Sequence, residues 1–227
     1  MDRTPRLIET LTPQQPEGVV LVLHGGANRE GNPMVSPTQL SVIRMIPVAR
    51  RLARAGRGRL AVFRLLNSHR GWDTHTTPVD DVAWALRQLV ERYAGVPVGL
   101  VGHSLGGRAA LLAGGRHGVR SVVALNPWVY PTDTADLSGR RVLIVHGTAD
   151  RIAQASRSEA VARRLGAFTE VGYISIEGGK HAMLSHGADF EKAAAAFTTA
   201  ALLGLDSAAT ESPAVARILA GERWVSA

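Results

Sequence analysis

The stretch VGLVGHSLGGRAAL, Val98 to Leu111, places one serine between glycines where an apolar run gives way to small residues. Gly102-His103-Ser104-Leu105-Gly106 reads G-x-S-x-G. A strand running into Ser104 and a helix leaving at Leu105 make the tight turn that lifts a hydroxyl clear of a sheet. Such a turn strains the serine backbone, and a Cβ at Gly102 or Gly106 would collide across it. The helix start also offers free N–H groups to developing negative charge. Two further groups stand just past apolar runs: Asp150 in IVHGTADR and His181 in IEGGKHAML. A serine hydroxyl is a poor nucleophile until a base takes its proton. An imidazole at His181 titrates in the range to do so, and a carboxylate at Asp150 would fix its tautomer. Acyl transfer needs two donors for the oxyanion. One is the Leu105 N–H, and the other is assigned to the loop after VLVLHGG, at Gly26 or Ala27.

These groups need a frame. Short apolar runs at 18–26, 59–66, 96–104, 119–127, 140–147 and 170–179 read as strands. Between them, amphipathic runs at 39–55, from Thr77-Pro78 onward, at 105–116 and at 156–165 read as helices. A long helix follows around Phe190, and Ser212-Pro213 opens a short one. The alternation predicts an α/β protein, a mostly parallel sheet flanked by helices, in a single domain over 1–227 whose residues 206–227 are a helical extension. Ligands of such sheets bind at the carboxyl ends of the strands. Only 126–139 separates two of the strands there, too little for a lid domain.

The segments LHGG at 23–26, GHSLGG at 102–107, HGTAD at 146–150 and GGKHAML at 178–184 resemble the α/β-hydrolase superfamily, over nearly the whole chain. The likeness is to small uncapped members of the dienelactone-hydrolase or esterase kind. True dienelactone hydrolases carry cysteine where Ser104 stands, so dienelactone is not the expected substrate. The resemblance implies an α/β-hydrolase fold without a cap. It makes Ser104 the nucleophile, His181 the general base and acid, and Asp150 its orienter, cleaving a small-molecule ester or thioester through an acyl-enzyme with no cofactor. An acyltransferase, a lyase, or a catalytically silent binding protein are the alternatives.

The remaining features read as scaffold. Lys and Arg number 26 against 19 acidic residues, yet only Lys180 and Lys192 are lysines, and the arginines from Arg44 to Arg59 fall between apolar helix positions. That is a solvated helix face, so no nucleic-acid partner is expected. Absence of cysteine excludes disulfides, thiolate metal sites and a cysteine nucleophile. No histidine–carboxylate spacing suits a metal, and no run of residues suits a membrane span or signal peptide, so a cytoplasmic protein is expected. The sequence does not indicate an oligomeric state. His24 and His146 are expected to be hydrogen-bonding scaffold and His103 to pack. His186 and His69 are weaker alternatives to His181, as are Asp189 and Asp136 to Asp150. Trp72, Trp128, Tyr130 and Met34, with the loop 27–38, are the candidate pocket walls.

Overall fold

The computed structural model describes residues 4–27, 34–72, 76–204 and 211–227. Among these residues eight strands form one sheet in the order β1-β3-β2-β4-β5-β6-β7-β8. They are β1 (Arg6–Leu11), β2 (Gly18–Leu23), β3 (Leu60–Leu66), β4 (Val98–His103), β5 (Val119–Leu125), β6 (Arg141–Gly147), β7 (Glu170–Ile176) and β8 (Trp224–Ser226). Every neighbouring pair is parallel except β1 with β3. The helices are α1 (Leu40–Ile43), α2 (Met45–Ala55), α3 (Thr77–Arg92), α4 (Leu105–Ala113), α5 (Ala155–Leu165), α6 (Gly187–Leu203) and α7 (Pro213–Leu219).

The central strands are apolar on both faces because helices cover both. In β2, Val19, Leu21 and Leu23 enter one core with residues of α3, α4 and α5. The alternate residues Val20 and Val22 enter a second core with α2, α6 and α7. This is the strand pattern of a doubly covered parallel sheet, where each fully buried aliphatic side chain contributes about 1.5–3 kcal/mol.

Two expectations are corrected here. The helix expected over 39–55 is two helices meeting at Arg44. Pro47 has no N–H to give the Ile43 carbonyl, and its ring crowds that carbonyl, so the helix cannot run through. The edge strands β1 and β8 were not anticipated at all. In β1 no residue is fully buried, so its apolar content is low and its signal weak. β8 is only three residues long. Between β5 and β6, residues 126–140 hold turns and no helix, so no cap domain is inserted there.

Candidate active site

Ser104 stands between β4 and α4 with φ 56° and ψ −120°, a backbone region that L-residues occupy at a cost of about 1–3 kcal/mol. The turn is tied from both sides. Ser104 N–H donates to the Leu125 carbonyl at 3.0 Å, and its own carbonyl accepts from Arg108 N and Trp128 N, each at 3.1 Å. A Cβ on Gly102 would lie 2.1 Å from the Gly106 carbonyl oxygen, and one on Gly106 would lie 2.6 Å from those of Leu23 and His24. Backbone cannot yield by that much, so both positions demand glycine.

The Ser104 hydroxyl donates to His181 Nε2 at 3.0 Å, and His181 Nδ1 donates to Asp150 Oδ2 at 2.7 Å. Asp150 follows β6 and His181 lies in the loop after β7, so adjacent strand ends bring residues distant in sequence into one line. Asp150 is fully buried at its side chain. Burial alone would raise its carboxyl. Hydrogen bonds from His146, from His181 and from the N–H groups of Ile152 and Ala153 outweigh it and hold the carboxyl well below the usual carboxylate range. Those two backbone bonds, 2.8 and 2.9 Å, both fall on Oδ1, leaving Oδ2 for the imidazoles.

His146 behaves as a scaffold. Its Nε2 donates to the Ala153 carbonyl at 3.1 Å and lies 3.4 Å from Asp150 Oδ2, while Nδ1 meets Ser158 Oγ at 2.8 Å. Ser158 in turn meets the Tyr173 hydroxyl at 3.0 Å, whose titration burial pushes up to about 12. His24 donates from Nδ1 to the Gly25 carbonyl and accepts at Nε2 from Asn67 N–H, and burial lowers it to about 4. His103 is also buried, and burial first, then the charge of His181, lowers it to about 3. It packs, as expected, but its Nε2 also donates to the His181 carbonyl at 2.8 Å.

Asn126 was missed from sequence. It is completely buried with φ 41°. Its Oδ1 accepts from Gly147 N–H, and its Nδ2 donates to the carbonyls of Lys180 and His181. One amide thus binds the ends of β5 and β6 to the loop that carries His181. A polar residue directly after the apolar run SVVAL was the available signal. The alternative histidines point elsewhere: His69 bonds Ser68 and His186 bonds Ser185. Asp189 lies in the first turn of α6, and the Asp136 carboxylate bonds the Ser138 N–H.

Ser104 and His181 open onto a cavity of about 560 Å³, within the range of small-molecule sites. Gly26, Ala27 and Leu105 line it beside the serine. So does Gly25, whose added Cβ would come within 2.9 Å of Ser104 Cβ. Trp72, Trp128 and Tyr130 also line it, the last two packed edge to face at 5.0 Å. Met34 is half exposed and is not among the lining residues. Residues 28–33 of the expected flanking loop lie outside the described residues. Sequence reading also missed Arg108 and Arg44 in this cavity. The Arg108 guanidinium lies 4.2 Å from the Trp72 ring and 4.8 Å from that of Tyr130, and pairs with both carboxylate oxygens of Asp133 at 2.8 Å.

A parallel sheet whose middle strand ends in a strained serine, faced by a histidine–carboxylate pair from later strands, is the architecture of the α/β hydrolases. The chain belongs to the alpha/beta hydrolase fold family, whose model matches residues 18–172 and so includes Ser104 and Asp150. Solved structures share the fold at low identity. An alpha-beta serine hydrolase homologue from Coxiella burnetii is 18% identical over 84% of this chain and 90% of its own, with a TM-score of 0.63. A serine hydrolase without a lid from Xanthomonas campestris is 16% identical over 86% and 93%, with a TM-score of 0.61. A hyperthermophilic esterase from Pyrobaculum calidifontis is 17% identical over 87% and 81%, with a TM-score of 0.65. No curated protein sequence gives a significant match. Among the described residues no helix is long and apolar enough to cross a membrane.

Proposed function

We propose that the chain is a serine hydrolase that cleaves a small-molecule ester or thioester through an acyl-enzyme. The observation that carries this is the unbroken hydrogen-bond line from Ser104 Oγ through His181 to Asp150. In the first half-reaction His181 Nε2 takes the Ser104 proton as Oγ attacks the carbonyl carbon. Asp150, held ionised by its hydrogen bonds, stabilises the imidazolium and keeps Nδ1 protonated. The Leu105 N–H and an N–H from Gly26 or Ala27 receive the oxyanion, each such donor contributing about 3 kcal/mol. His181 then protonates the leaving group, and water repeats the sequence in reverse to release the acid.

Esterases among the structures of like fold, and the lidless serine hydrolase from Xanthomonas campestris, support the same reading. A loop-walled cavity without a cap gives a long acyl chain little added surface to bury, so acetyl to octanoyl esters are favoured over palmitoyl esters and no interfacial activation is expected. The test is labelling with a fluorophosphonate, followed by a series of p-nitrophenyl esters. One adduct on Ser104, absent from Ser104→Ala together with turnover, supports the proposal. An active protein whose adduct lies on another serine overturns it.

A further inference from the structure

Among the described residues two arginines line the cavity, and their circumstances differ. Arg108 is neutralised by the bidentate Asp133 contact. Arg44 has no such partner: among the described residues its guanidinium makes no hydrogen bond or ion pair, and its Nε is buried without an acceptor. Its charge is close enough to lower the basicity of His103, which borders Ser104, and burial lowers its own pKa. None of the described lining residues is acidic. The cavity therefore presents a partly desolvated positive charge beside the reacting serine with no counter-charge of its own, a costly arrangement unless a ligand completes it.

Local structure explains why the arginine is there. The break forced by Pro47 falls at Arg44, between α1 and α2. Ser41, one turn earlier on the same face, also lines the cavity. Its hydroxyl accepts from Gln39 Nε2 at 2.7 Å, which leaves its proton to donate. A guanidinium fork and a hydroxyl on one helical face make a set of donors suited to a carboxylate.

We infer that Arg44, with Ser41, binds a carboxylate carried by the substrate, so that the preferred ester is an anion. This rests on the serine-hydrolase reading above. The charge sits on the acyl half or on the leaving half, and matched substrate pairs distinguish these. The acyl pair is the p-nitrophenyl monoester of glutaric acid against p-nitrophenyl pentanoate. The leaving-group pair is 4-butyryloxybenzoate against its methyl ester. After subtraction of uncatalysed hydrolysis, kcat/KM for the charged member should exceed that of the neutral one by about tenfold or more in one pair, the size expected of one charge-assisted contact. Arg44→Met should collapse that ratio to near one, mainly through KM, Arg44→Lys should restore part of it, and added salt should shrink it. No preference in either pair overturns the inference while leaving ester hydrolysis intact. So does an Arg44→Met protein that loses charged and neutral turnover by one common factor. If none of the four esters is cleaved and Ser104 takes no fluorophosphonate, it is the hydrolase reading that fails, and the subsite with it.

Discussion

Replacing Asp150 by asparagine changes one atom, and the structure dictates where that atom goes. Oδ1 accepts two backbone N–H groups, from Ile152 and Ala153, at 2.8 and 2.9 Å. An amide nitrogen cannot accept them, so the asparagine oxygen must take that place and its NH₂ must take the place of Oδ2. That NH₂ then faces His181 Nδ1 across 2.7 Å, where wild type has an N–H donating to a carboxylate. Two donors cannot meet, so the imidazole must carry its proton on Nε2 instead. In that tautomer it donates to Ser104 Oγ rather than accepting from it, and the base is lost while every side chain stays in place. Loss of the imidazolium's counter-charge adds to the effect. Together these should lower kcat/KM by about 10⁴, or about 5.4 kcal/mol of transition-state stabilisation. The assay is p-nitrophenyl butyrate hydrolysis near pH 7.5, with the fluorophosphonate labelling rate and the melting temperature measured alongside. Labelling should slow in step with turnover, and the melting temperature should move little because the backbone bonds survive. An Asp150→Asn protein that keeps a tenth or more of wild-type kcat/KM would refute the tautomer argument.

Buried neutral histidines set the acid side of stability. His24 lies at about 4 and His103 at about 3, below the value of about 6.5 in an unfolded chain. Between pH 6.5 and 4 the unfolded state therefore binds protons the folded state refuses, and stability should fall as pH falls, approaching two protons or about 2.7 kcal/mol per pH unit. Urea midpoints at pH 7, 6 and 5 read this, and an unchanged midpoint contradicts it. The depressed Asp150 carboxyl adds a further loss only below about pH 4, as pH falls through its folded value. Gly102→Ala drives a Cβ to 2.1 Å from backbone and should cost more than about 3 kcal/mol; a melting temperature near wild type would show that the elbow can open. Asp133→Asn leaves Arg108 without its counter-charge in a pair only 13% and 11% exposed. It should destabilise by about 2 kcal/mol and raise KM severalfold by loosening the packing against Trp72 and Tyr130; a variant unchanged in both would place this pair outside the binding wall.

What could be read in advance was what periodicity and punctuation encode. The parallel strands from β2 to β7 announce themselves because helices cover both faces, which makes each an apolar run. Ser104 is legible because its turn needs Gly102 and Gly106, a constraint written in the chain. β1 was not legible, since an edge strand with no fully buried residue carries little pattern. The break at Arg44 was in principle visible through Pro47, but the apolar period runs across it and hides it. Asn126, Arg108 and Arg44 escaped for a different reason. Their roles depend on which elements become neighbours, and a polar residue just after a strand or on a helix looks the same whether it is buried at a junction or loose in water.

The line from Ser104 to His181 has a consequence for the order of events in time. Ser104 leaves β4, Asp150 leaves β6 and His181 follows β7, while Asn126 after β5 ties the end of β6 to the loop that carries His181. No fragment of the sheet holds a working site, and each of these parallel neighbours must first form its crossover before pairing. Non-local pairing of this kind is slow to form, and it comes after local helices and the first collapse. Catalytic competence should therefore be among the last properties to appear on refolding, trailing far-ultraviolet helix signal and core fluorescence. Recovered turnover would then serve as a clock for docking of the β7 loop, the step that delivers His181 to a serine already in place.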